Sequence, residues 1–343
     1  MTTGDVMETK IGPLLDWVVR AHPDTPKNRA KQWILAGRVS VDGVVLRKPH
    51  QLIPDPGETL KLGAREAATL DCGSGWQIHR RVSLLYLDSA FAVVNKAPGL
   101  LSVPAPNCSL SALSVLADFL AGRLKARGRG VAGRSLPAAY RRLQPLAVHR
   151  LDQNTSGVLC VATNPNARRH LTGQLRAHTM TREYIAFVDG RSATSQGTWR
   201  QWLQLSRDEL RQYILSDPQA RAPGSEAREA ITHYEVTAEY ALPGGDHVTK
   251  LRLRLETGRK HQIRVQAAHA GLPLIGDRTY HPAYREPHPV GWPLDFSRQA
   301  LHAGKLSLEH PDQPGKRLSW TAEMPGDLRE LEADLRSAGL RTG

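Results

Sequence analysis

The sequence predicts an α+β fold: a mixed, largely antiparallel central sheet flanked by helices, with a small αβ module ahead of it. Strand-length apolar runs are interspersed with helical patterns, but no regular strand–helix–strand repeat of the kind that builds a parallel sheet emerges. A short stretch near the start reads as two helices and a tight hairpin, distinct from the rest of the chain. The 343 residues suffice for one large domain with a sizeable core plus an accessory module. No internal repeat is evident.

The first module spans 11–62. Leu14, Leu15, Val18 and Val19 recur at helical spacing, with Trp17 beside them. After the break at His22-Pro23-Asp24-Thr25-Pro26, a second helix is expected from Asn28 to Ala36, closed by Gly37. Val39-Ser40-Val41-Asp42-Gly43-Val44-Val45 then alternates and turns at Asp-Gly, a hairpin signal. Residues 63–83, with Gly73 and Gly75, read as a linker. The main domain is expected over 84–325. Leu84 to Leu87 and Phe91 to Lys96 are strand-like, and Ala97-Pro98-Gly99 turns the chain. Val158 to Ala162 reads as a buried strand; Asn164 and Pro165 then supply an N-cap and a first-turn proline for a helix to about Arg176. Tyr184 to Val188 is the next strand. Trp199 to Glu226 is polar and reads as irregular, Thr232 to Tyr240 and Lys250 to Leu255 alternate as strands, and Thr257 to Ala270 reads as a helix ending at Gly271. A strand pair near Leu301 to Leu308 and Arg317 to Thr321 precedes a C-terminal helix and tail, 326–343.

The formal charge of +13 calls for a polyanionic partner, because counterion release from a phosphate backbone favours binding to such an excess. Its distribution is uneven. Between Asp118 and Asp152 no acidic residue occurs, while Arg123, Lys125, Arg127, Arg129, Arg134, Arg141, Arg142 and Arg150 fall there, among Gly and Pro. Such a tract reads as a flexible arm for nucleic acid; a basic disordered insertion is the alternative. No apolar run approaches the roughly 20 residues of a membrane helix, and the N-terminus lacks a signal-like core. Cys72, Cys108 and Cys160 are odd in number, widely spaced and free of any CxxC pair, which points to a reducing, cytoplasmic setting.

The loop His149-Arg150-Leu151-Asp152-Gln153-Asn154-Thr155-Ser156-Gly157 carries the candidate chemistry. Its polar turn leads into the apolar strand at Val158, so Asp152 is displayed on a rigid support beside His149 and Arg150. A half-buried carboxylate needs a positive neighbour to stay ionised. By itself such an Asp would be read as a turn cap.

Further blocks change that reading. The loop matches the "HRLDxxTSG" signature of the RluA family of RNA pseudouridine synthases residue for residue. Val94 to Pro104 resembles the family's "vvNKPaGllvvP", Arg182 to Gly190 its "KxYxAxVxG", Leu255 to Val265 its "TGRxHQIR" block followed by Gly271 to Asp277, and Leu301-His302-Ala303 with His310-Pro311 its closing block. The resemblance spans about Leu84 to Pro325 and implies the pseudouridine synthase fold. By position it implies that Asp152 attacks or deprotonates the target ribose, Tyr184 packs on the flipped uracil, and Arg264 pairs with Asp152. It places Arg150 in the gap left in the RNA stack, with His149 and Arg259 as its neighbours in base flipping. The reaction needs no redox equivalent, donor or metal, so no cofactor is expected. Ile11 to Leu62 resembles the S4 RNA-binding module through Ala36-Gly37-Arg38-Val39-Ser40-Val41-Asp42-Gly43, which implies RNA-facing Lys27, Arg29, Lys31 and Arg38. Family members with that module make large-subunit ribosomal RNA the expected substrate and transfer RNA the alternative, for a monomeric enzyme without membrane or metal partners.

Taken apart from the resemblance, Tyr184 could be core, Arg264 a surface ion pair, and His261 a structural hydrogen-bonding group. Lys96 and Asn95 read as turn-shaping. A non-catalytic RNA-binding or ribosome-assembly factor, and a metal-dependent hydrolase built on His149, His261 and His302, are the competing classes. None of those histidines has a partner at metal-ligand spacing.

Overall fold

The computed structural model describes residues 10–35, 38–62, 70–127, 136, 138–208, 210–217, 219, 221, 226–284 and 296–340, in two compact units, 1–68 and 69–343. In the first, helices Leu14–Ala21 and Lys27–Leu35 precede the hairpin Val39–Val41 and Val44–Leu46. Leu14, Leu15, Val18, Ala30, Ile34, Val39 and Ile53 form its core. The Trp17 indole donates to the carbonyls of Gly12 and Ile53, tying the first helix to the strand Leu52–Pro54. The helix-closing role expected of Gly37 lies outside the described residues.

The second unit is built on one mixed sheet of twelve strands among the described residues. Its middle carries the site: Thr181–Asp189, Leu301–Glu309, Ser156–Ala162 and Phe91–Lys96 lie side by side. Ser156–Ala162 is buried along its whole length, as the apolar run Val158 to Ala162 requires, with the Ser156 hydroxyl hydrogen-bonded to His302 Nδ1. It runs parallel to Leu301–Glu309 through Ser156↔His302 and Gly157↔Ala303, and antiparallel to Phe91–Lys96. Gly157 has φ +117°, and a Cβ there would lie 2.1 Å from the Ala303 carbonyl oxygen, so only glycine permits this pairing. The helix Pro165–Arg176 starts where its cap residue predicts: the Asn164 side chain accepts from the Ala167 N–H.

Several expectations need correction. The linker over 63–83 contains a ten-residue strand, Leu70–His79, paired with Val82–Leu87 and bulged between Asp71 and Trp76. The stretch read as irregular holds the strands Gln196–Leu205 and Gln212–Leu215 at one end of the sheet. The helix expected from Thr257 begins only at Gln262, and Gln262 to Ala267 are all buried. The basic tract is not wholly an arm: Ala126, Leu136 and Tyr140 are buried in the main core, and Arg127 pairs through its backbone with Gln77. The C-terminal helix Gly326–Leu340 packs Leu328, Leu331 and Leu335 against Phe187 and Tyr240, making it part of this unit's core. No helix among the described residues is long and apolar enough to cross a membrane.

Candidate active site

Asp152 lies in a loop whose four consecutive carbonyls are all held. Leu151 accepts from the Ser102 hydroxyl, which in turn accepts the Leu151 N–H. Asp152 accepts from the Thr155 N–H, Gln153 from Lys96 Nζ and Asn154 from Arg298 Nη1. Lys96 is fully buried and also donates to the carbonyls of Ala97 and Leu100. Burial pushes its pKa down to about 7 against the pull of Asp152. Arg298 is clamped by the Asp327 carboxylate. The turn-shaping role expected of Lys96 thus extends to the loop that carries Asp152.

The Asp152 side chain faces a pocket of about 110 Å³ lined by His149, Arg150, Arg182, Tyr184, Arg259, His261 and Arg264, among others. Arg264 Nη1 donates to Asp152 Oδ2 at 3.2 Å, from the buried helix Gln262–His269. The guanidinium fork itself engages a residue to which the motifs gave no role. Asp277, fully buried, receives Nε at 2.6 Å and Nη2 at 2.8 Å. Thr279 takes a further bond from Nη2, and the Tyr280 ring lies 5.2 Å from the guanidinium carbon. Burial alone would lower the Arg264 pKa; the bonds and charge of Asp277, and then Asp152, outweigh it and hold it raised. Asp277 falls in the Gly271 to Asp277 block, and an Asp directly after Gly276 was the available signal. Gly276 is required there: with φ +73°, its Cβ would meet the Arg298 carbonyl at 2.0 Å.

The helix is locked by two glutamines. Gln262 accepts from Thr257 and Arg259 and donates to Ile231 and Thr232; Gln266 donates to Trp199, Gln201 and Ala230 and accepts from Thr232. A polar helix can be buried on every side because each of these amides is satisfied.

Tyr184 enters from the strand Thr181–Asp189, opposite Leu253, next to a bulge against Leu301–Glu309. It is buried, its pKa is raised chiefly by that burial, and its hydroxyl makes no hydrogen bond among the described residues. Asp152, Tyr184 and Arg264 are therefore brought together. Arg150 is exposed at the rim with no ionic partner among the described residues. His149 and Arg259 also line the pocket but are already engaged. The Cys160 N–H donates to His149 Nε2, and burial takes the His149 pKa down to about 3; Arg259 Nε donates to the Glu229 carbonyl. Arg182, placed two residues before Tyr184, is buried and donates to the carbonyls of Glu256 and Thr257. Among the described residues no group of three or more His, Cys, Asp or Glu side chains could hold a metal ion.

In the first unit, Arg29 and Arg38 both lie against the Trp33 ring, at 6.0 and 5.3 Å. Lys27 pairs with Asp16 at 3.4 Å, and Lys31 is exposed. The structure gathers two of the four expected RNA-facing residues around one aromatic side chain.

Comparisons with known proteins show what the chain is similar to. Residues 90–269 match the model of the RNA pseudouridylate synthase family, and residues 12–60 that of the S4 domain. The chain is 31% identical over 334 residues to ribosomal large subunit pseudouridine synthase D of Yersinia pestis, covering 95% of this chain and 92% of the relative. It is 31% identical to the protein of that name from Escherichia coli K12, with 98% and 94% covered, and 31% identical to an uncharacterized RNA pseudouridine synthase of Bacillus subtilis, with 92% and 91% covered. Among solved structures, the human RNA pseudouridylate synthase domain containing 1 protein superposes with a TM-score of 0.51 at 25% identity, covering 74% of this chain and 87% of that one.

Proposed function

This chain belongs to the RNA pseudouridylate synthase family and is an RNA pseudouridine synthase, and we propose that it works through Asp152 on uridines flipped out of large-subunit ribosomal RNA. The observation that carries the assignment is the convergence of Asp152, Arg264 and Tyr184 on one pocket, with Arg264 bonded to the carboxylate.

The isomerisation breaks C1′–N1, turns the base and forms C1′–C5; the hydrogen on C5 leaves as a proton and N1 gains one, so product and substrate are isomers. Asp152 engages the ribose at C1′ or its neighbours while the base is detached. Arg264 keeps the carboxylate oriented, itself anchored from behind by Asp277. The Tyr184 ring holds the base by its face. A nucleotide inside a helix is out of reach, so it is extruded at a cost of about a few kcal/mol, and exposed Arg150 fills the vacated stack. His149 and Arg259 shape the pocket wall behind Arg150.

Ribosomal RNA is favoured over transfer RNA because the relatives named for the large ribosomal subunit match over nearly their whole length, S4 module included. Asp152→Asn is expected to abolish pseudouridine formation, measured by tritium release from C5-labelled RNA, while RNA affinity changes less than about threefold. A variant that turned over at the wild-type rate would remove Asp152 from the mechanism. Mapping pseudouridines in ribosomal and transfer RNA from cells with and without the gene decides between the two substrates.

A further inference from the structure

The pocket holds a hydrogen-bond donor that the roles of Asp152, Arg264 and Tyr184 leave unused. His261 caps the helix Gln262–His269 in the left-handed conformation, φ 54°, with its side chain 14% exposed. That backbone turn brings Nε2 to 4.0 Å from Asp152 Oδ2, too far for a hydrogen bond but on the same side of the pocket. Its other nitrogen, Nδ1, is 3.1 Å from the Tyr280 hydroxyl, and the two rings meet edge to face.

The tautomer follows from counting hydrogens. The Tyr280 oxygen already accepts the Gln212 N–H at 2.7 Å. Among the described residues the phenol has no acceptor for its own hydrogen other than His261 Nδ1. Were Nδ1 protonated, two N–H groups would crowd the phenol oxygen and the buried hydroxyl hydrogen would go unpaired, disfavouring that form by about tenfold or more. Tyr280 therefore donates to Nδ1, and the ring hydrogen sits on Nε2, facing Asp152 and the pocket. The ring is neutral at physiological pH, because burial, with Arg264 and Lys260 beside it, lowers its pKa to about 4 despite the opposing charges of Asp152 and Asp277.

We propose that the His261 Nε2–H donates a hydrogen bond to O2 of the target uracil, the carbonyl next to N1. This rests on Asp152 being the residue that works at C1′. A donor 4.0 Å from that carboxylate reaches the atoms adjoining C1′, and O2 is the base oxygen on the carbon bonded to N1. When C1′–N1 breaks with its electron pair moving to the base, negative charge spreads onto O2. A fixed neutral donor aimed there is worth more in the transition state than in the ground state. A charged imidazolium would instead bind Asp152 and withdraw it from the ribose.

His261→Asn keeps a residue that tolerates the left-handed backbone but draws the donor back from the base. It is expected to lower kcat by about 10- to 100-fold with KM within about twofold. The deciding comparison uses RNA with 2-thiouridine at the target, whose sulfur is a poorer acceptor. Replacing O2 by sulfur should slow the wild type by about tenfold and leave the rate of H261N nearly unchanged, and this ratio within each protein is independent of the folded fraction. Tyr280→Phe, which frees the tautomer, should fall between the two. If the 2-thio substitution costs the same factor in wild type and H261N, His261 does not touch O2 and the inference is overturned while Asp152 keeps its role. If the wild type makes no pseudouridine in ribosomal or transfer RNA, the reading of Asp152 falls and this inference falls with it.

Discussion

At the scale of single residues, the site turns on which carboxylate owns Arg264. Asp277 holds the guanidinium by two bonds of 2.6 and 2.8 Å, and Asp152 holds it by one of 3.2 Å, so Asp277 fixes the arginine and leaves Nη1 for Asp152. Asp277→Asn leaves a buried cation short of its counter-charge, a change that costs about 3–5 kcal/mol where a pair is fully buried. The expected outcome is a large drop in melting temperature, and in the folded fraction a kcat at least tenfold down with KM little changed, since Arg264 then swings toward Asp152. Thermal melts and single-turnover rates check it; a variant as stable and fast as wild type would show that Asp152 and Thr279 suffice. The buried histidines set a second expectation. His261 and His149 have folded pKa values near 4 and 3, below the ordinary 6.5 of an unfolded chain. As pH falls from 6.5 toward 4 the unfolded state takes up protons that the folded state refuses, so stability is lost on acidification and is fully present above 6.5. For His261 alone the shift corresponds to about 3 kcal/mol. Denaturant melts from pH 4 to 7 should show that loss, with a shallower slope in His261→Asn. Asp152, Tyr184 and Arg264 could be placed by motif because each falls inside a block that resembles the family's pattern. Asp277 went without a role because its bond to Arg264 links positions 13 residues apart, a pairing that no motif spacing announces.

At the scale of elements, precision comes from backbone carbonyls as much as from side chains. The Asp152 loop is gripped by Lys96 and Ser102 from one segment of the chain and by Arg298 from a distant one. Lys96→Met leaves the carbonyls of Leu100 and Gln153 without their buried donor, each worth about 1–3 kcal/mol when unsatisfied. A lowered melting temperature and slowed turnover, with RNA affinity retained, are expected; equal kinetics in the two proteins would show that the loop needs no such anchor. Gly157→Ala should fail to fold stably, because its Cβ would meet the Ala303 carbonyl at 2.1 Å in the parallel pair, and yield of soluble protein is the readout. Elements with an apolar period were legible: Ser156–Ala162, Thr181–Asp189 and both helices of the first module. The strands that went unread have a physical reason. Along Gln196–Leu205 only Trp199 and Leu203 are buried, so a strand near the sheet's end carries little hydrophobic signal. Leu70–His79 is broken by a bulge at Gly73 to Gly75. The helix Gln262–His269 was legible but over-extended at its start: Gln262 to Ala267 are all buried, with both glutamine amides satisfied, so no amphipathic pattern marks where it begins.

At the scale of the whole molecule, the question is where the excess of positive charge meets RNA. Part of the basic tract lines a cleft of about 560 Å³ with Arg80, Arg123, Lys125 and Arg127, closed on one side by Gln77 to His79. Arg123 is paired with Asp118, whereas Arg80, Lys125 and Arg127 are exposed and have no carboxylate partner among the described residues. The Arg127 backbone is pinned to Gln77, so this wall is fixed rather than an arm. Arg80 sits beside Arg81, whose guanidinium holds the Gly99 carbonyl, and the Ala97 to Leu100 turn shares Lys96 with the Asp152 loop. A phosphate backbone laid along this wall would meet three cations with no carboxylate partner among the described residues. Neutralising Arg80, Lys125 and Arg127 to Ala together should weaken affinity for a ribosomal RNA fragment about tenfold near 0.1 M salt. Removing three cations that each neutralise a phosphate of a single strand should also flatten the slope of log K against log salt by about 2. Turnover at saturating RNA should stay at the wild-type value, because none of the three lines the Asp152 pocket. An unchanged salt slope would mean that the phosphates are held elsewhere, and the same titration on Arg29→Ala with Arg38→Ala then measures the share carried by the Trp33 patch of the first unit.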